Sequence, residues 1–208
     1  MGLQNVVWDM DGTLLDTTQV VPEAFVRAVA ALEGPEVEID EVTAAYGRGT
    51  PEVILSFLVG RKLTVDECEA YYRELDDVEV ALYPGVAQTM AALRERGRSV
   101  AVFTGASTRA AQILLGAAGL EADIVIGGDQ VERPKPAADG MLLAARRLFT
   151  APENLLMVGD SPLDLQAAKA AGSQSASAAW GHMYDPAEPA DVTLNTPRDV
   201  LELLAVAG

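Results

Sequence analysis

The sequence predicts an α/β fold: a doubly wound parallel sheet with a helical segment inserted after its first strand. Three observations lead there. A short apolar run, residues 3–8, breaks off in an acidic turn, and its length suits a buried strand better than a helix. From residue 20 to 82 the texture is helix-like, with no convincing strand. After Tyr83-Pro84-Gly85, strands and helices alternate, the pattern of a parallel sheet covered on both faces.

The elements follow in order. Thr64-Val65-Asp66-Glu67 has the spacing of a capping box and opens a helix toward Leu75. Residues 86–96 predict a helix stopped by Gly97, and residues 99–103 a β-rich strand. A helix over 108–118 ending at Gly119, a strand at 123–126 and a helix over 137–149 come next. A strand at 155–158 and a helix over 162–171 follow, and residues 184–190 read as a loop by their prolines. The last helix starts near Pro197, with Thr196 as N-cap and proline at the first helical position. Residues 1–15 and 84–208 are therefore expected to form the core, and residues 16–83 the inserted helical unit.

Half of the 208 residues are hydrophobic, ample for a sizeable core. Against 31 Asp and Glu stand 15 Lys and Arg, a formal net charge of −16. No long basic run is present, which argues against a nucleic-acid partner, because phosphate-backbone binding needs clustered cations. The same charge repels a phosphorylated ligand at long range, so a metal ion and a few local cations must reverse the field at any site for one. Cys68 is the only cysteine, which rules out an intrachain disulfide. With no basic leader and no apolar run long enough for a membrane span, a cytoplasmic protein without a membrane partner is expected.

The sharpest local signal is Asp9-Met10-Asp11-Gly12-Thr13-Leu14-Leu15-Asp16 at the end of the first strand. Two carboxylates two residues apart on an extended chain point the same way, and a partly buried pair needs a divalent cation or a shared proton. The plain alternative is a solvated acidic turn, since Asp-Gly is a common turn pair. Three further segments change the balance. Val102-Phe103-Thr104-Gly105 puts a hydroxyl and a flexible backbone at a strand end. Arg133-Pro134-Lys135-Pro136 holds a cation between two prolines, and Gly159-Asp160-Ser161-Pro162-Leu163-Asp164 puts an acidic pair at a third strand end. Sites in open α/β sheets form outside the carboxyl ends of the strands, so all four segments can meet there.

Their residue types support one chemistry. Asp9 can attack phosphorus to give an aspartyl-phosphate, while Asp11 protonates the leaving alcohol and then takes a proton from water. A hard cation such as Mg²⁺ suits Asp9, Asp160 and a main-chain carbonyl at Asp11. Thr104, the backbone N–H groups from Gly105 onward and Lys135 would stabilise the phosphoryl oxygens. Asp164 either supports this group from behind or completes a helix cap with Ser161. Ser107 and Thr108 read as helix caps.

In this order and these settings, the segments resemble the four signature motifs of the haloacid dehalogenase-like superfamily: Asp9 and Asp11, then Thr104, then Lys135, then Asp160 with Asp164. The resemblance covers the whole chain, because residues 16–83 match the place and size of that family's small helical cap. It implies an Mg²⁺-dependent phosphatase acting on a small phosphorylated metabolite, as a monomer or a homodimer. The stretch Tyr46-Gly47-Arg48-Gly49-Thr50-Pro51 is similar to the cap loop of phosphoglycolate phosphatase-like members, which makes Tyr46 and Arg48 candidate substrate contacts. An interhelical loop with an exposed arginine is the alternative. Asp16 and Thr17 lie at the hinge and can also face the substrate.

Rival readings share parts of this pattern. A sugar phosphomutase resembling β-phosphoglucomutase would use the same core. Asp11 counts against a true haloacid dehalogenase, which lacks the second aspartate, and a phosphonatase is disfavoured for want of a convincing cap lysine, Lys62 being the one to consider. A receiver domain gathers similar groups, but neither the large insertion nor the Asp-x-Asp placement suits it. The lone histidine, His182, has no Gly-x-Ser-x-Gly elbow to partner it and reads as a loop residue near the site mouth.

Overall fold

The computed structural model describes residues 2–204. Strand β1 (Asn5–Trp8) leads into a two-residue strand, β2 (Leu15–Asp16). Four helices come next: α1 (Val20–Ala31), α2 (Ile39–Ala45), α3 (Pro51–Val59) and α4 (Val65–Leu75). The chain then returns through β3 (Ala81–Leu82), which pairs antiparallel with β2. From there α5 (Val86–Glu95), β4 (Val100–Phe103), α6 (Thr108–Ala117), β5 (Ile124–Ile126) and α7 (Asp139–Arg147) alternate. The chain continues through β6 (Leu155–Gly159), α8 (Pro162–Ala171), β7 (Gln174–Ala178) and β8 (Val192–Leu194) to α9 (Val200–Leu203).

Six strands form one parallel sheet in the order β5-β4-β1-β6-β7-β8. The doubly wound parallel fold expected from the sequence is thus present. Alternation along each strand explains why both faces are covered. Val6 and Trp8 of β1, with Val100 and Val102 of β4, pack on one face with α5 and α6. Val7, Ala101 and Phe103 point the other way, against α7 and α8. Helix α7 comes in closely because Gly140 lacks a side chain: a Cβ there would sit 2.1 Å from the Phe103 ring.

Local signals read from the sequence hold where their hydrogen bonds are local. Thr64 and Glu67 make both bonds of the capping box, at 3.3 and 2.8 Å. Asp199 accepts from the Thr196 N–H and hydroxyl, although only a 3-10 turn over Pro197–Asp199 precedes the short α9. Two strands of the sheet, β7 and β8, were not anticipated. Strand β7 reads Gln-Ser-Ala-Ser-Ala, without one β-branched or aromatic residue, and is held by its position between β6 and β8. The β2–β3 pairing also went unread, because two-residue strands carry no periodicity.

Among the four inserted helices, the Phe25 ring of α1 stacks on Tyr71 of α4 at 4.2 Å, and the Tyr72 ring lies 5.4 Å from that of Tyr71. Leu55 and Leu75 are fully buried beside them.

Candidate active site

Three adjacent central strands each deliver one residue to the same end of the sheet. Asp9 follows β1, Thr104 follows β4 and Asp160 follows β6. From β1 the chain winds to β4 and β5 on one side and to β6, β7 and β8 on the other, so a crevice opens at this switch point. Lys135 arrives from the loop between β5 and α7.

The buried Lys135 ammonium donates to Asp9 Oδ1 at 2.5 Å and to Asp164 Oδ1 at 2.5 Å. The other oxygen of Asp164 accepts from the Ser161 N–H at 3.1 Å and its hydroxyl at 2.7 Å. Both sequence readings of Asp164 therefore meet in one side chain: it closes the first turn of α8 and positions the lysine. Asp11 accepts from the Thr17 hydroxyl at 2.7 Å and from the Thr104 hydroxyl at 3.3 Å, and Thr104 in turn accepts from the Ala106 N–H at 3.1 Å. Asp160 Oδ2 accepts from the Met183 N–H at 3.0 Å, with His182 Nδ1 3.6 Å away. Gly12, at φ 80°, makes room for that carboxylate, since a Cβ there would lie 2.2 Å from it.

Four carboxyl groups share this space with one ammonium. Burial, and then the charge of Asp164, push the Asp9 carboxyl well above its ordinary value, although Lys135 pulls it back. Burial likewise raises Asp11 against the hydrogen bonds from Thr17 and Thr104, and raises Asp160. For Lys135, burial disfavours the charge, but Asp164 and Asp9 outweigh it and hold the ammonium protonated. The cluster is thus short of positive charge. Oxygens of Asp9, Asp160 and Asp164 lie within 4.8 Å of one another, and the buried Asp160 Oδ1 has no hydrogen-bond partner. An all-oxygen donor set with an orphaned carboxylate oxygen fits a hard divalent cation.

A model of the haloacid dehalogenase-like hydrolases matches residues 3–172. The chain belongs to that family. Phosphoglycolate phosphatase from Escherichia coli (strain K12) is 31% identical over 236 residues, covering 98% of this chain and 93% of the relative. The same enzyme from Salmonella typhimurium (strain LT2) is 33% identical over the same shares. Among solved structures, CbbY from Rhodobacter sphaeroides in complex with phosphate superposes with a TM-score of 0.79 at 25% identity, covering 95% of this chain and 96% of that one. The chain is a haloacid dehalogenase-like phosphatase.

In this haloacid dehalogenase-like hydrolase, the core residues singled out in the sequence converge, and those of residues 16–83 divide. Tyr46 is partly exposed, its ring centroid 6.3 Å from that of Phe25, and burial and then the charge of Asp11 push its hydroxyl up. Arg48 instead lies over the Phe57 ring, 3.4 Å from its centroid. Gly105 is exposed in the turn between Thr104 and α6. Ser107 caps α6 by accepting from the Ala110 N–H at 3.2 Å. Thr108 takes another part: its N–H and hydroxyl both donate to Asp129. Asp16 stays at the hinge and accepts from Thr18. The contact of Met183 with Asp160 was missed, and no local signal marks it, because a backbone N–H reads the same in any residue. Among the described residues, no helix is long and apolar enough to cross a membrane.

Proposed function

We propose that this chain hydrolyses a small phosphomonoester through an aspartyl-phosphate on Asp9. The observation that most supports the reading is the double contact of Lys135: one ammonium fixes Asp9 and is itself fixed by Asp164. A buried lysine held between two carboxylates orients the attacking oxygen and faces the charge of a phosphoryl group. On this reading residues 1–15 and 84–208 form the catalytic core, and residues 16–83 a cap over its open end.

An Asp9 oxygen bonds to phosphorus as the ester P–O bond breaks, and Asp11 gives its proton to the departing oxygen. The raised carboxyl of Asp11 suits that acid role, since burial favours the protonated form. Asp11 then takes a proton from water, whose oxygen displaces Asp9 from phosphorus and releases inorganic phosphate. Thr104, the N–H of Gly105 and Lys135 hold the phosphoryl oxygens. Mg²⁺ is the proposed cation, held by Asp9, Asp160 and the main-chain carbonyl of Asp11. When bound, it supplies the positive charge that lets an anionic nucleophile approach an anionic phosphate.

The names of the relatives make phosphoglycolate the first ester to assay. Release of inorganic phosphate from p-nitrophenyl phosphate and from a panel of phosphorylated metabolites, with Mg²⁺ and with EDTA, tests the reading. Turnover that EDTA abolishes is expected. Stoichiometric phosphorylation of the protein without turnover would instead make it a switch.

A further inference from the structure

Asp160 is gripped by a stretch of chain that carries no carboxylate of its own. The turn after β7, residues 179–183, runs against Asp160 and Gly12 together. The Trp180 indole N–H donates to the Thr13 carbonyl at 2.9 Å, which ties the turn to the loop after β1. Gly181 passes so close that a Cβ on it would stand 2.5 Å from the Gly12 carbonyl oxygen and collide with Asp160 Cβ. The Met183 N–H, 23 residues beyond Asp160, then donates to its Oδ2 at 3.0 Å, and His182 Nδ1 stands 3.6 Å from the same oxygen.

The oxygens of this carboxylate therefore differ. Oδ2 is engaged by the turn, and a Cβ on either Gly12 or Gly181 would crowd it. Oδ1 is buried and has no hydrogen-bond partner. For both to serve one cation, Oδ2 would have to give up the Met183 bond and move within a space that Gly12 and Gly181 close. Small Mg²⁺ demands near-octahedral order from few carboxylates, whereas Ca²⁺ takes more oxygens and accepts both from one carboxylate. A side chain limited to one oxygen meets the first demand and withholds an oxygen from the second.

Resting on the reading of Asp160 as a cation ligand, we propose that the turn at 180–183 presents Asp160 through Oδ1 alone and so sets the preference of the site for Mg²⁺ over Ca²⁺. Trp180 and Gly181 are the positioning residues: one anchors the turn, and the other lets it approach. Neither side chain offers an oxygen to the cation, so both act through Asp160.

The test takes dissociation constants from the shift of thermal unfolding with Mg²⁺ and, separately, with Ca²⁺, in the full chain without substrate. Wild type should bind Mg²⁺ the more tightly. In Gly181→Ala the added methyl pushes the turn off Asp160 and frees Oδ2. Mg²⁺ affinity should fall by about tenfold and Ca²⁺ affinity by less, so that their ratio drops by about fivefold. Trp180→Phe keeps an aromatic ring and loses only the bond to Thr13, and should move the ratio the same way by about fivefold or less, the scale of one hydrogen bond. Packing damage alone lowers the metal-free melting temperature and leaves the ratio where it was. A ratio unmoved in folded Gly181→Ala, or in Trp180→Phe should the first variant not fold, overturns the assignment. Wild type that holds Ca²⁺ as tightly as Mg²⁺ overturns it without any variant. If neither ion shifts the unfolding of wild type, the reading of Asp160 as a cation ligand fails first and takes this one with it.

Discussion

The hydroxyl of Thr17 donates to Asp11 Oδ1 at 2.7 Å, from a position just beyond the β2–β3 pairing. The link between the sheet and the inserted helices therefore holds the proposed acid directly. Asp11→Asn should slow an alkyl phosphate by a further hundredfold or so relative to p-nitrophenyl phosphate, because a poor leaving group needs the proton in the transition state. Thr17→Val should act in the same direction by about tenfold or less, the scale of one hydrogen bond. Equal losses on both esters would remove Asp11 from the acid role.

Asp9→Asn changes the attacking oxygen while keeping the shape of the side chain. Turnover should fall by roughly a thousandfold or more, with an unchanged circular dichroism spectrum. Activity within about tenfold of wild type would take the nucleophile's part away from Asp9.

Metal binding is open to a readout independent of turnover. At a Mg²⁺ concentration about a hundred times its dissociation constant, thermal unfolding should register about 2.7 kcal/mol of added stability. Asp160→Ala should lose most of that shift. Its metal-free form should stay close to wild type in stability, since losing the partnerless Oδ1 offsets losing the bond from the Met183 N–H to Oδ2. A full Mg²⁺ shift in Asp160→Ala would assign the residue elsewhere.

Glu67 supplies a pH-dependent contribution far from the carboxylates. Hydrogen bonding to Arg61, then to Thr64, lowers its carboxyl to about 2 from an ordinary 4.5. A depressed folded-state value means that the unfolded chain binds the proton first as pH falls. The contribution is therefore whole above about pH 4.5 and lost progressively toward pH 2. The difference in melting temperature between wild type and Glu67→Gln should be widest near neutrality and narrow below pH 4.5. A difference constant from pH 7 to pH 3 would show that the ionised form contributes nothing.

Much of the site was legible in sequence because its parts are local. Asp9 and Asp11 are two residues apart, and three of the four segments close an apolar run whose length marks a strand. The caps at Thr64, Ser107 and Thr196 were legible for the same reason: their partners lie three residues away. What escaped has no local signature. Strand β7 is small and polar in composition, and it is a strand because β6 and β8 leave its backbone groups no other partners.

The sequence by itself thus determined the alternating α/β layout, the helical insertion, the carboxylates and threonine at the strand ends and the lysine between two prolines, since apolar run length, capping spacing and residue type are properties of neighbours in the chain. Only the tertiary structure decided that Lys135 bridges Asp9, 126 residues away, and Asp164, that Thr17 holds Asp11, and that Arg48 lies over Phe57 while the Tyr72 hydroxyl joins Glu52 to Ser107. Those relationships depend on where a charge finds its partner once water is excluded, and that is set by the packing of segments far apart in sequence.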